Sequence, residues 1–238
     1  MAKTKVKQAL ATFLKGILAG ICISLGSALF LVVTNLAGKF AAGLVFPLGM
    51  LLILNLGYFL YTGKVCFLFN HLKRGPNLHY SLQLLVGLIG NLLGAFIIGA
   101  VLSFVFDKVT AFKETIDGNE VVTTIVEYGR TVIEGKVSNH LGKVFVLAIL
   151  CNILIYFCVE GFSKVENQFV KHLIVFLTIG TFNILGFEHA IADMFYISFG
   201  GYYGSDSLIF LLVVIAGNTV GGLIIPLVVK LIKLLEKR

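Results

Sequence analysis

The sequence predicts an all-α membrane protein of six transmembrane helices in an inverted 3+3 repeat, with the second and fifth helices interrupted. Three observations predict it. The 238 residues are 58% hydrophobic and only 13% charged, with a mean hydropathy of +0.98, more apolar surface than a water-soluble core hides. Apolar stretches recur at about the length a helix needs to cross roughly 30 Å of hydrocarbon. Two of these stretches carry polar residues and glycine in their middle rather than at their ends.

In chain order the apolar windows fall at about 13–36, 40–70, 82–106, 141–160, 170–199 and 207–230. The first opens near Phe13 and runs too long, with no small-residue cleavage pattern after it, to be a removable signal peptide. The second is broken by GYFLYTGK (57–64) and the fifth by GTFNILGFEHA (180–190). Irregular backbone inside a membrane is tolerated only where it is buried in protein or lines a cavity, so both breaks point to a polar path. Between windows three and four, residues 107–140 form the one long polar connection. Its Val121, Val122, Ile125, Val126, Val132 and Ile133 predict a partly amphipathic outer segment packed over an entrance. Residues 1–238 read as one transmembrane domain, with repeats at roughly 1–106 and 141–238.

The net charge of +7 does not indicate nucleic acid, because the basic residues sit in short clusters between apolar runs rather than on one face. They order the topology instead. Lys3, Lys5, Lys7, Lys15, Lys73, Arg74, Lys164, Lys171, Lys230, Lys233, Lys237 and Arg238 fall on the side of the termini. Lys39, Lys108, Lys113, Arg130, Lys136 and Lys143 fall opposite, diluted by Asp107, Glu114, Asp117, Glu120, Glu127 and Glu134. Both termini are therefore expected in the cytoplasm. Cys22, Cys66, Cys151 and Cys158 lie in apolar segments without a CxxC pair, which predicts small core residues rather than a disulfide frame or metal site.

An internal repeat links the two breaks. Thr62 precedes Asn91-Leu-Leu-Gly94 by 29 residues, and His189 precedes Asn218-Thr-Val-Gly221 by the same 29. Three spans per half is an odd number, so the second half enters the membrane upside down. In transporters of that design the broken helices meet at the substrate site, which pairs Thr62 with His189. An ionisable side chain in a span is costly by roughly 2.5–3.5 kcal/mol for the charged types. The ordinary alternative is a neutral, hydrogen-bonded packing histidine. The neighbouring Glu188 and the break favour a pore role, in which imidazole donates a hydrogen bond or exchanges a proton and Thr62 adds a rotatable hydroxyl.

GFEHAIADMF (186–195) resembles the GFEHSVANM signature of the formate/nitrite transporter family, and LYTGK (60–64) resembles its LFTGN loop. The similarity covers nearly the whole chain, including both Asn-x-x-Gly motifs and Asn152 in span four. It implies a homopentamer in a prokaryotic cytoplasmic membrane, with one pore per subunit. In that pore the loop threonine (Thr62) and central histidine (His189) lie between two apolar constrictions. By the same resemblance the cytoplasmic constriction falls on Phe46 and Met50 and the outer one on Phe182 with Leu60. Lys136 falls at the outer mouth, where it would attract anions. The chain departs from the family pattern at Phe59, Lys64 and Asp193. Lys64 either pairs with Asp193 or Glu188 or adds positive potential to the pore for a small anion, and pairing is the expectation, since an unpaired cation in hydrocarbon is expensive. The pattern around the loop is most similar to the hydrosulfide-channel branch.

The expected function is a channel for small monovalent anions, hydrosulfide first, with formate or nitrite as the alternative, working passively or with a linked proton and with no cofactor. A neutral-solute channel of aquaporin type shares the six spans, but Pro47, Pro76 and Pro226 supply no paired Asn-Pro-Ala loops. A membrane enzyme would need a nucleophile with its base or a metal cluster, and His189 has no second histidine nearby. No GxxxxGK[ST] loop offers energy coupling.

Overall fold

A computed structural model describes residues 2–72, 78–116 and 119–236. Lys73, Arg74, Asp117, Lys237 and Arg238, which enter the charge pattern above, lie outside them. The fold is predominantly helical. The first helix, α1 (Ala2–Val45), folds back at Gly38, whose φ of 80° suits glycine. The long apolar stretch Lys5–Leu56 therefore crosses twice. Its two arms touch through small residues: a methyl added at Gly26 would lie 2.6 Å from the Phe46 carbonyl, and one at Gly49 2.5 Å from that of Cys22. After α2 (Leu48–Leu56) come α3 (Tyr61–Val65), α4 (Leu68–Leu72) and the third span α5 (Leu78–Val105). The second half holds α7 (Leu141–Lys164), α8 (Gln168–Leu185), α9 (Ala190–Phe199) and α10 (Ser205–Leu235). Six passes result among the described residues, because α8 and α9 share one as α2, α3 and α4 do.

Both interruptions are built alike and are shorter than the sequence implies. The first is only residues 57–60 and the second only 186–189. Each opens on a left-handed glycine, Gly57 (φ 70°, ψ 34°) and Gly186 (φ 72°, ψ 37°). A side chain there would cost about 1 kcal/mol. Three residues later the next helix begins, with Leu60 and His189 as extended N-caps.

One asparagine clamps each break. Asn91 Oδ1 accepts the Tyr61 N–H at 2.7 Å, while its Nδ2 donates to the Phe59 carbonyl at 2.7 Å and to the Gly16 carbonyl at 2.9 Å. Asn218 Oδ1 accepts the Ala190 N–H at 3.0 Å, while its Nδ2 donates to Glu188 and Ala148 carbonyls, both at 2.9 Å. These asparagines satisfy backbone groups that no water in hydrocarbon would reach. The residue bracketed by the clamp is Leu60 at the first break and His189 at the second. Leu60 precedes its asparagine by 31 residues and His189 by 29, so equal counting from the asparagines lands two residues late, on Thr62.

The connection between the halves departs from an all-α reading. Strands β1 (Thr110–Ile116) and β2 (Asn119–Thr124) form an antiparallel hairpin, followed by α6 (Ile125–Val137). A capping box starts α6: the Glu127 N–H donates to Thr124 Oγ1 at 3.2 Å, and the Thr124 N–H donates to Glu127 Oε2 at 2.7 Å. These bonds hold the exposed Glu127 carboxyl below its usual range. A depressed acid stabilises above its unfolded value and loses that contribution as pH falls through its folded one. The protection factor of the Glu127 amide, the slowing of its exchange relative to the unstructured chain at the same pH, should therefore fall on acidification through the carboxylate range, and Glu127→Gln should remove that dependence. Ile125 and Ile133 are buried, as the amphipathic spacing predicts.

Candidate crossing point

The two breaks bring Thr62 and His189 together at the centre of the protein. Thr62 Oγ1 lies 3.0 Å from His189 Nε2, and the two residues are 0% and 1% exposed. The imidazole's other nitrogen decides the polarity of this bond. As N-cap of α9, His189 accepts the Ala192 N–H at Nδ1, 3.3 Å away. A backbone N–H cannot be an acceptor, so Nδ1 keeps its lone pair and the ring hydrogen sits on Nε2. The Nε2–H then donates to Thr62 Oγ1, and the Thr62 hydroxyl hydrogen is left to point elsewhere. Asn152 holds the threonine from behind, donating from Nδ2 to the Thr62 carbonyl at 3.0 Å.

Two cavities approach this pair. One, of about 450 Å³ on the hairpin side, is lined by Phe182, His189, Glu188, Asp193, Lys136 and Tyr196 among others. The other, of about 460 Å³ on the side of the termini, is lined by Met50, Leu60, Gly63, Lys64 and Lys171 among others. The four apolar candidates sort differently from the sequence expectation. Phe46 packs edge-on against Phe182 with ring centroids 5.5 Å apart, and Phe182 stacks on the His189 ring at 5.9 Å. Phe46 thus belongs with Phe182 on the hairpin side, and Met50 with Leu60 on the other. The reason is local: Phe46 lies in the turn between α1 and α2 while Met50 is in the first turn of α2, and the two side chains fall on either side of the Thr62–His189 pair.

The charged residues also depart from expectation. Lys136 is not a free cation at the mouth. Its Nζ contacts Glu188 Oε2 and lies 3.0 Å from Asp193 Oδ1, with the Tyr196 ring 5.9 Å away. Both acids are buried, so the pairing expected of Lys64 is made by Lys136 from α6. Lys64 is exposed to the opposite cavity, where Lys171 also stands. Two residues escaped the sequence reading. Tyr61 donates or accepts a hydrogen bond with Thr219 Oγ1 at 2.8 Å, tying α3 to α10, and Tyr196 packs beside the Lys136 ammonium. Their only signal was a tyrosine immediately next to a break, or about two turns beyond one. Among the described residues no group of three or more His, Cys, Asp or Glu is placed to hold a metal ion, and the four cysteines are buried and unpaired.

Six apolar passes, two clamped breaks and a buried hydrogen-bonded pair between two cavities define a polytopic membrane protein with a polar pair buried in its interior. The profile described as formate/nitrite transporter matches residues 1–232, and the chain belongs to that family. It is 29% identical over 207 residues to the formate channel FocA of Haemophilus influenzae, covering 82% of this chain and 68% of that protein. It is 30% identical over 226 residues to a probable formate transporter of Methanothermobacter thermautotrophicus, covering 87% and 82%. A solved structure described as a pentameric formate channel with formate bound shares its fold at a TM-score of 0.74 and 22% identity, covering 96% of this chain and 98% of that one.

Proposed function

We propose that this protein is a channel for small monovalent anions, with the Thr62–His189 pair as its crossing point. The observation that carries the reading is the buried 3.0 Å hydrogen bond of that pair between two cavities on opposite sides. By the positive-inside pattern the termini face the cytoplasm and the hairpin faces outward in a prokaryotic cytoplasmic membrane, and the cavity holding Lys64 and Lys171 opens toward the termini. The two halves act as an inverted repeat about the pair. An anion is drawn to either cavity by lysines, Lys64 and Lys171 on one side and Lys39 and Lys143 on the other. It sheds water at Met50 and Leu60 or at Phe46 and Phe182, then meets the Thr62 hydroxyl, polarised by the Nε2–H behind it. His189 acts as a neutral donor relay, and Glu188 and Lys136 support the wall of the outer cavity. The protein has no enzymatic step, and it assembles as a homopentamer with one pore per subunit, the assembly named for the similar solved structure.

The first break favours hydrosulfide by its resemblance, and the named relatives favour formate. Stopped-flow flux in proteoliposomes loaded with hydrosulfide, formate or nitrite decides between them. The expected result is saturable flux of all three with hydrosulfide fastest. Equal rates would remove the hydrosulfide assignment, and swelling in glycerol without any anion flux would replace the reading by a neutral-solute channel.

A further inference from the structure

Two acids share one base at the wall of the hairpin-side cavity. Lys136, reaching in from α6, contacts Glu188 at the second break and Asp193 on α9. The acids are 2% and 0% exposed. Oxygens that touch the same ammonium stand within about 6 Å of each other, the range over which like charges oppose mutual ionisation. With both acids ionised the cluster carries net −1. Among the described residues no second cation pairs with either acid. Of the groups facing the cluster, Tyr128 on α6, Cys151 on α7 and Tyr196 on α9 are neutral, and His189 keeps its Nδ1 lone pair for Ala192. Lys143 and Lys39 line the same cavity and keep their charges, but they stand apart from the acids: Lys143 bonds Asn139 Oδ1 at 2.7 Å and Lys39 lies at the rim near Gly186.

A second observation bears on the same place: Asp193 Oδ2 is buried and has no hydrogen-bond partner. A bare carboxylate oxygen in a water-poor wall is a costly arrangement. A proton held at that oxygen removes this cost. Two carboxyls that cannot both ionise hold one proton between them, as in other paired acids.

We propose that Glu188 and Asp193 hold one proton between them over Lys136, and that this proton decides whether an anion can occupy the outer cavity. Asp193 is thereby a specificity-determining residue of the pore. With the proton in place the cluster is neutral and does not oppose an entering anion. When the proton leaves to the cavity water, the cluster carries −1 and repels the anion ahead of the Thr62–His189 pair. The consequence for transport rests on the channel reading above; the shared proton does not.

The test therefore has two readouts. Infrared difference spectroscopy of the purified full-length protein across the neutral and alkaline range should show the carbonyl stretch of one protonated carboxyl per chain. Either amide variant, Asp193→Asn or Glu188→Gln, should abolish that band, because the remaining acid forms a simple ion pair with Lys136. Absence of the band in the parent protein, or its persistence in both variants, overturns the shared proton. The second readout is flux of formate, which stays ionised throughout this range. It should fall about tenfold per pH unit above the cluster's titration, and that fall should vanish in Asp193→Asn. An unchanged pH profile in Asp193→Asn overturns the control of anion entry. If the infrared result holds while the parent protein carries no anion at all, the channel reading fails and the acid pair stands.

Discussion

Replacing His189 by phenylalanine is expected to lower anion flux by about one to two orders of magnitude while the protein still folds. Phenylalanine fills nearly the same volume and keeps the stacked contact with Phe182. Two hydrogen bonds disappear. The bond at Nδ1 caps α9 through the Ala192 N–H, and losing a cap costs about 1 kcal/mol of stability, which a six-span fold survives. The bond at Nε2 is the one transport depends on, since it orients the Thr62 hydroxyl toward the path. A hydrogen bond to a charged partner is worth about 1.5–3 kcal/mol, and at roughly 1.4 kcal/mol per factor of ten its loss sets the expected range. Thr62→Val removes the presented hydroxyl itself and should lower flux by a similar factor, while leaving the Asn152 bond to the residue 62 carbonyl intact. Undiminished flux in His189→Phe would sink the crossing point. A loss in His189→Phe with none in Thr62→Val would make the threonine structural and the imidazole the direct donor.

The pair was legible in the sequence because ionisable and hydroxyl groups in the middle of apolar windows are few. What spacing could not show was which residues are equivalent. Counting back an equal distance from Asn91 and Asn218 aligns Thr62 with His189, but the clamps bracket Leu60 and His189, because the first half holds two more residues between break and asparagine. Thr62 meets His189 across the repeat rather than as its mate. The breaks were located but overdrawn for a local reason. Polar residues in a helix can satisfy themselves on the preceding turn, as Thr178 does on the Ile174 carbonyl at 2.7 Å and Asn183 on that of Ile179 at 3.2 Å. Polarity in a span therefore does not by itself unwind it, and the left-handed Gly57 and Gly186 mark the true ends. The hairpin left a signal that went unused: Asp117-Gly118 is a strong two-residue hairpin signature, and the strands end at Ile116 and Asn119 on either side of it. Lys136 was recognised as important but placed at the surface, because no periodicity in α6 reveals that α9 receives its side chain.

That placement makes Lys136 the residue whose loss should harm the fold most. Lys136→Met keeps the length and apolar stem of the side chain but leaves Glu188 and Asp193 buried without their counter-charge. Removing one partner of a buried pair costs about 3–5 kcal/mol, most of it the penalty of the stranded charge rather than the worth of the bond. Against the few kcal/mol that separate most folded proteins from unfolding, this predicts a large fall in monodisperse yield and melting temperature in detergent. The same reasoning predicts rescue. The triple variant Lys136→Met, Glu188→Gln, Asp193→Asn buries no charge and nearly conserves volume, so it should recover most of the lost stability. Fluorescence-detected gel filtration and thermal melts of the single and triple variants check this directly. A single variant as stable as the parent would show that the two acids do not depend on Lys136. A triple variant as unstable as the single would show that the geometry of the ammonium, not its charge, holds α6 against α9. In either result the Thr62–His189 pair is untouched, so residual flux in the triple variant also measures how much of anion entry the cluster governs.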